Sequence, residues 1–246
     1  MKLTVLGKYG PFPAATGACS GYLVETEQAS IILDLGNGAL SRLLYKKPRL
    51  TVDGVILSHL HSDHMSDMLV LRYALKQLHS RDRSIPTPLS VVAPSEPELE
   101  FRQLVSSGVY DMIAARDGMK LKFKDLTVVL HRMTHTVVSY AAELMSGGKR
   151  MVYTGDTGYN MRLESLCSGA DLLLADTCYL NADKTTENAA HLTAGEAGRL
   201  AKRCGVKQLI CTHIWGGSID DAGVLGEARA EFPTAEVAVE MRTYEV

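Results

Sequence analysis

The chain has 246 residues, enough for one sizeable hydrophobic core, and its 46% hydrophobic and 22% charged residues exclude a disordered or membrane-embedded class. Its formal net charge of −2 at pH 7 excludes a general electrostatic attraction to nucleic acid or to an acidic membrane surface. We expect a single domain over residues 1–246, because no linker, low-complexity segment or repeat interrupts the sequence.

The N-terminal segment 2–6 predicts a strand and lacks the basic and apolar parts of a signal peptide. Since no apolar run is long enough to cross a bilayer, we expect no membrane partner. The five cysteines are odd in number, scattered and without a Cys-X-X-Cys pair: Cys19, Cys167, Cys178, Cys204 and Cys211. A reducing, cytoplasmic location is the simplest interpretation of that pattern.

Short β-rich runs ending in Gly or Asp follow one another along the chain. In the first half, strands are predicted over residues 2–6, 21–26, 30–35, 54–58 and 89–93. In the second half, they are predicted over residues 121–130, 141–145, 150–154, 171–175, 208–212 and 236–241. Since the first several runs are separated by turns only, we expect antiparallel pairing among them.

Helices are predicted between some of these strands. Segment 66–79 carries apolar residues at three- to four-residue spacing, and segments 96–106, 161–167 and 222–232 are weaker candidates. The clearest helix is 194–204, because Thr193 and Glu196 form a capping-box pattern and Gly205 follows as a stop. Many strands with interspersed helices predict two sheets with helices packed outside them.

Three of the eight histidines fall within residues 59–64, directly after the apolar run 54–58. Residues two apart in an extended segment point the same way, so His59 and His61 can bind one ion together. Asp63 and His64 then lie at the turn into the next helix and can face a second ion. Imidazole and carboxylate are the ligands expected of zinc and similar metals, so this run predicts a metal site.

Further histidines and an aspartate stand at strand ends. Asp156 follows the run 150–154 within a tight Gly-containing turn, and His213 follows 208–212. His135 follows the strand segment 126–130 and its continuation, and His191 precedes the capped helix. Each residue alone is weak evidence, but together they predict one rim to which several strands contribute ligands.

In order along the chain, these residues resemble the ligand pattern of the metallo-β-lactamase superfamily: His59, His61, Asp63, His64, His135, Asp156 and His213. The opening segments 6–23 and 32–36 are similar to that superfamily as well. The resemblance spans almost the whole chain and implies an α+β fold, the four-layer αββα sandwich, with metals at one edge of the sheets.

The resemblance also implies roles. The first metal would be bound by His59, His61 and His135. The second would be bound by Asp63, His64 and His213, and Asp156 would bridge the two. The implied cofactors are two divalent ions, zinc foremost, with manganese or iron as alternatives. Asp63 would also orient the attacking water or accept its proton, while Asp34 is assigned to a supporting role.

Within the superfamily, the run His191-Leu192-Thr193-Ala194 resembles the ribonuclease Z-like phosphodiesterases, in which this histidine contacts the phosphate and acts as general acid. Its partner there is a glutamate, whereas Asp176 stands here and is one methylene shorter. A carboxylate bonded to one ring nitrogen still fixes the tautomer. We also expect the helix N-terminus after His191 to favour a bound phosphate.

Ribonuclease Z enzymes carry a long tRNA-binding arm, usually between the third and fourth motifs. His135 and Asp156 are too close in sequence to hold such an arm, so we expect a small phosphodiester substrate such as a cyclic nucleotide. Three alternatives stay open: ribonuclease Z-like RNA processing, a thioesterase or lactonase of the same fold, and a catalytically silent metal-binding module. A homodimer also stays open, and Trp215 is interpreted either as a ring-stacking or as a packing residue.

Overall fold

The computed structural model describes residues 1–185, 190–217 and 220–246, and within them the chain forms two seven-stranded sheets. The first sheet contains β1 (Lys2–Gly7), β2 (Gly21–Glu25), β3 (Ser30–Leu35), β4 (Gly54–Ile56), β5 (Leu89–Ala93), β6 (Tyr110–Ala114) and β14 (Thr243–Glu245), in the order β14-β1-β2-β3-β4-β5-β6. The second contains β7 (Lys120–Phe123), β8 (Leu126–Met133), β9 (Ser139–Ser146), β10 (Lys149–Tyr153), β11 (Leu172–Asp176), β12 (Gln208–Thr212) and β13 (Glu236–Val237), in the order β13-β12-β11-β10-β9-β8-β7.

Helices cover the outer face of each sheet. The first sheet is covered by α1 (Ala39–Lys46), α2 (Ser62–Met65), α3 (Met68–Arg81) and α4 (Glu98–Val105). The second is covered by α5 (Met161–Cys167), α6 (Ala194–Arg203) and α7 (Asp221–Glu231). This arrangement confirms the predicted α+β, four-layer αββα sandwich. Among the described residues, no helix is both long and apolar enough to traverse a bilayer.

The strands read as continuous apolar runs because both faces of each sheet are buried. In β3, Ile31 and Leu33 pack into the core between the sheets, while Ile32 packs against the outer helices. In β11, Leu173 likewise packs outward, as the two-residue period of a strand requires. A single domain over residues 1–246 stays a prediction.

Strand direction differs in part from the prediction. β1, β2 and β3 are antiparallel neighbours, as expected. β3 to β6 are parallel, so the expectation of antiparallel pairing was wrong for the runs 54–58 and 89–93. Parallel neighbours need a crossover, which α1 supplies between β3 and β4. Helix α1 was not predicted, since it begins after Gly38 (φ 87°) with no side-chain cap.

The bounds of several other elements differ from the predicted ones. The predicted strand 121–130 is a hairpin of β7 and β8, turning at Lys124 with a φ of 52° and without the glycine or asparagine that announces such turns. The predicted helix 66–79 corresponds to α3, preceded by the short α2. Strands β6 and β14 were not predicted, and the run 236–241 is a strand only in β13.

The predicted ligand positions gather at one edge of the two sheets. β10, β11 and β12 are parallel, so their carboxyl ends meet there, and β9 is antiparallel to β10 and begins there. The Tyr140 amide donates to the Ser58 carbonyl at 2.9 Å, which joins the end of β4 to the start of β9. The turn at Gly147 and Gly148 lies at the opposite end of the β9–β10 hairpin.

Candidate metal centre

The run 59–64 leads from β4 into α2. His61 precedes the helix in an extended conformation (φ −68°, ψ 150°), and Asp63 and His64 lie within its single turn. His59 and His64 are fully buried, while His61 is only half-buried. The extended backbone before the helix lets the side chains of His59 and His61 approach each other. The helical turn directs Asp63 and His64 toward a second, neighbouring position.

Three imidazoles converge at the first point. His59 Nε2 lies 3.0 Å from His61 Nδ1, and His135 Nε2 lies 3.2 Å from the same atom. Asp156 Oδ2 is 3.6 Å from His59 Nε2 and 4.0 Å from His135 Nε2. A tetrahedral ion with bonds of ~2.0–2.1 Å has ligand atoms about 3.4 Å apart, so this spacing fits such an ion.

A second group converges beside the first. His64 Nε2 lies 3.4 Å from Asp63 Oδ2 and 3.3 Å from Asp156 Oδ2. His213 Nε2 lies 3.2 Å from each of the same two oxygens. Asp156 Oδ2 therefore belongs to both groups, which is the position that a bridging ligand needs.

Three buried atoms of these groups lack hydrogen-bond partners among the described residues: His64 Nε2, Asp156 Oδ1 and His213 Nδ1. Buried polar atoms are nearly always paired, so an unpaired one at a point of convergence, as His64 Nε2 is, indicates a missing partner. Nitrogen and oxygen donors suit zinc and similar divalent ions. The fold and these His and Asp groups together imply divalent metal ions.

The electrostatics show that the carboxylates of the second group attract positive charge. Burial would lower the pKa of His64 and of His213, but Asp156 and its neighbours raise both well above the usual range. Burial alone would raise the pKa of Asp156, but the imidazoles of His213 and His64 hold it well below its usual range. Burial also opposes ionisation of Asp63, yet the same two imidazoles lower its pKa. Burial lowers the pKa of His59, which favours the neutral ring that metal binding requires.

Asp34 supports the second group from behind. Its carboxylate accepts hydrogen bonds from the Ser58 amide (2.7 Å), the Ser58 hydroxyl (2.7 Å) and the Tyr153 hydroxyl (2.6 Å). It also lies 2.8 Å from His64 Nδ1, which leaves Nε2 of that ring to face the ligand cluster. The geometry agrees with the supporting role expected for Asp34, and Tyr153 and Ser58 were not identified from the sequence.

Asp176 contacts two histidines of the site. Its Oδ2 lies 2.8 Å from His191 Nδ1, so the shorter side chain does reach the ring, and its Oδ1 lies 3.5 Å from His213 Nδ1. The amides of Thr157 and Cys178 fix the carboxylate at 3.2 Å and 3.1 Å. Burial lowers the pKa of His191, but Asp176 outweighs burial and raises it overall.

Several amides at the N-terminus of α6 are engaged within the protein. The Ala194 amide donates to the Tyr179 carbonyl at 2.9 Å, and the Glu196 amide donates to Thr193 Oγ1 at 3.0 Å. The Glu196 carboxylate returns to the Thr193 amide, completing the predicted capping box. These amides are engaged within the protein, and phosphate binding at this helix end stays a prediction.

The site opens into a cavity of about 380 Å³. It is lined by Pro11, His61, Asp63, His135, Thr136, Asp156, Cys178, Tyr179, Ala190, His191, His213 and Trp215. Sequence reasoning did not identify Pro11, Tyr179 or the neighbouring Gly10 as site residues. The Gly10–Pro11 pair is a turn signal, but nothing in the sequence places that turn against His213. His131 lies off the site, 3.2 Å from Glu143.

Comparisons with known proteins agree on the family. The family model described as "Beta-lactamase superfamily domain" matches residues 29–214. The probable metallo-hydrolase YhfI of Bacillus subtilis (strain 168) is 34% identical over 214 residues, which cover 87% of this chain and 87% of that protein. A ribonuclease Z of Brevibacillus brevis is 25% identical over 312 residues, covering 100% of this chain and 97% of that protein.

Solved structures agree on the fold. The crystal structure of YhfI from Bacillus subtilis superposes with a TM-score of 0.92 at 30% identity, covering 100% of this chain and 99% of that one. The short form of human tRNase Z superposes with a TM-score of 0.75 at 20% identity, with coverage of 100% and 99%. The second likeness concerns the fold alone.

Replacing the shared carboxylate tests the ligand assignment. Asp156→Ala removes the oxygen common to both groups, so the purified variant is expected to lose both metals together with its hydrolytic activity. Metal content measured by mass spectrometry checks this, with Asp111→Ala, an exposed position on β6, as the control. An Asp156→Ala protein that retains both metals would exclude the bridging role.

Gly10 provides a more selective test. A Cβ added at Gly10 would overlap the His213 ring at Nε2, the atom that faces the second group. Gly10→Ala should therefore displace His213 and reduce the metal content from two ions toward one, because the first group is untouched. Gly226→Ala is the matched control, since a Cβ there meets no atom within 4 Å. Equal loss of both metals, or of neither, would contradict the expected selectivity.

Proposed function

The chain belongs to the β-lactamase superfamily of metallo-hydrolases, and we propose that it is a two-metal phosphodiesterase acting on a small phosphodiester such as a cyclic nucleotide. One observation carries the proposal: His191, whose Nδ1 lies 2.8 Å from Asp176, lines the same cavity as residues of both ligand groups. A histidine outside the ligand groups but beside them can donate a proton to a leaving oxygen.

The first ion would be held by His59, His61 and His135, the second by Asp63, His64 and His213, and Asp156 would bridge them. Zinc is the first candidate for this donor set, with manganese or iron as alternatives. When bound, two such ions supply a water of lowered pKa and neutralise negative charge at the attacked centre.

His191 is proposed as the general acid. Its Nδ1 is engaged by Asp176, so Nε2 is the nitrogen that would protonate the departing oxygen as the bond between phosphorus and that oxygen breaks. Asp176 is itself fixed by two backbone amides, which holds the ring in one orientation. The raised pKa of His191, caused by Asp176, supplies the proton-bearing form of the ring.

Asp63 is proposed to act on the attacking water. Its carboxylate lines the cavity and lies 3.2 Å from His213 Nε2. The imidazoles of His64 and His213 lower the pKa of Asp63, so it is an ionised hydrogen-bond acceptor. An acceptor at this place orients the water for in-line attack and can receive its proton.

A small substrate is favoured over a folded RNA. Between Thr136 and Asp156, the chain forms only the hairpin β9–β10, closed by the turn at Gly147 and Gly148. A cavity of about 380 Å³ is in the range of small-molecule sites. The overall charge of −2 gives no general attraction to a polyanion.

The cysteines support the proposed cytoplasmic location. All five are free and buried: Cys19, Cys167, Cys178, Cys204 and Cys211. Burial raises the pKa of Cys211 to about 12 and that of Cys19 to about 11, so these thiols are poor nucleophiles. Unpaired thiols are typical of proteins from reducing compartments.

The proposed function is tested by assaying the metal-loaded protein on four substrate classes: cyclic nucleotides, bis(p-nitrophenyl) phosphate, thioesters and precursor tRNA. We expect turnover of the small phosphodiesters, with loss of activity after chelation and recovery after adding zinc or manganese. Two bound metals with no phosphodiester turnover would overturn the phosphodiesterase proposal. Cleavage of thioesters or tRNA alone would support one of the alternatives.

His191 is tested separately from metal binding. His191→Ala should keep both metals but slow phosphodiester cleavage by roughly 10²–10⁴-fold, because it removes the general acid while sparing the proposed ligands. His131→Ala, which alters a histidine outside the cavity, is the control. An unchanged kcat in His191→Ala, measured at equal metal content, would exclude the assignment.

A further inference from the structure

A row of aromatic rings leads outward from the proposed general acid. The Tyr179 ring lies against His191 with centroids 5.5 Å apart at 84°, and the Trp215 ring lies against Tyr179 at 6.2 Å and 77°. All three side chains line the same cavity as the proposed metal ligands. None of the proposed catalytic steps uses Tyr179 or Trp215.

The backbone that positions the site also positions this row. Tyr179 follows Asp176 at the end of β11, and Trp215 follows His213 at the end of β12. β11 and β12 are parallel neighbours, so their ends place the two aromatic residues next to each other. The row is thus held at a fixed place relative to the residues that would handle the phosphate.

Trp215 has an unused hydrogen-bond donor. Its Nε1 is buried, and it has no hydrogen-bond partner among the described residues. An indole N–H can only donate, and a buried donor without an acceptor is energetically unfavourable. Pro11 also lines this cavity and has no backbone N–H, so it does not compete with Trp215 Nε1 for an acceptor atom of a ligand. An acceptor atom on a bound ligand would satisfy Trp215 Nε1 once the ring turns to expose it.

We propose that Tyr179 and Trp215 bind the base of a nucleoside phosphodiester and so determine substrate specificity. The inference rests on the proposed phosphodiesterase function and names the part of the substrate that this end of the cavity recognises. With its phosphate beside His191, a nucleotide extends its sugar and base along the aromatic row. A heterocyclic base offers both a π-face for stacking and acceptor atoms for an N–H donor.

The angle between the rings limits how the base is held. Since Tyr179 and Trp215 are inclined at 77°, a planar base stacks on one of them and meets the other edge-on. Stacking is tolerant of base identity because every base has a π-face. The site should therefore prefer nucleoside diesters over diesters that lack a base, and it should discriminate less strongly among the bases themselves.

Fluorescence offers a direct test, because Trp215 is the only tryptophan in the chain. Adenosine 5′-monophosphate added to the metal-loaded wild-type protein should quench the emission, whereas ribose 5-phosphate, which has the phosphate but no base, should not. Equal quenching by both ligands, or none by a nucleotide shown by calorimetry to bind, would overturn the proposal.

Kinetics supply the second test, with two substrates that share a leaving group: thymidine 5′-(p-nitrophenyl) phosphate and methyl p-nitrophenyl phosphate. In Trp215→Leu, the ratio of kcat/KM for the nucleoside substrate to that for the methyl substrate should fall by roughly 5- to 100-fold, the range of stacking on one aromatic ring. Trp215→Phe should recover most of the ratio. Tyr45→Leu, at an aromatic residue 78% exposed on α1, is the matched control.

The outcomes separate the two proposals. A wild-type protein that hydrolyses neither nitrophenyl diester contradicts the phosphodiesterase function itself. A protein that hydrolyses both diesters, but whose ratio is the same in wild type and Trp215→Leu, contradicts only the base-binding role. A loss in Trp215→Leu that affects the two substrates equally also overturns it, since it would show that Trp215 serves packing alone.

Discussion

The whole site depends on a single buried carboxylate, that of Asp156. Its Oδ2 atom lies within 4.0 Å of a ring nitrogen from each of His59, His64, His135 and His213. A buried anion is costly unless positive charge or polar groups surround it, and these imidazoles, which come from both sheets, provide that surrounding. The attraction between this carboxylate and the surrounding imidazoles consequently holds the loops at this edge together. The same arrangement of groups fits divalent metal ions.

Two further carboxylates orient the imidazoles, each from a strand of its own. Asp34 on β3 lies behind His64, and Asp176 on β11 lies behind His191 and His213. Because backbone amides fix both carboxylates, the rings cannot turn freely. Asp34 and His213 both have positive φ values, of 53° and 56°, a conformation that functional sites often contain. The orientation of the imidazole rings is therefore fixed by carboxylates on the strands rather than by the proposed metal ligands themselves.

The sequence predicted well which His and Asp side chains lie together, and it predicted their surroundings poorly. The run from His59 to His64 is local, so its spacing on a strand and a helical turn could be judged directly. Gly10 and Tyr179 act through contacts with residues distant in sequence, and no local pattern indicates such contacts. Helix α1 and the β7–β8 turn were missed because they lack the residues that usually mark such boundaries. The capping box at α6 was predicted correctly because its pattern is local.

The turn at Gly147 and Gly148 has a consequence for how this architecture can evolve. A Cβ added at either glycine meets no atom within 4 Å, and the turn lies at the end of the β9–β10 hairpin remote from the cavity. Extra residues can be inserted at such a tip without disturbing the core or the ligands. Lineages could therefore gain or lose an appendage for a larger substrate by changing the length of one hairpin, while inheriting the reaction chemistry unaltered.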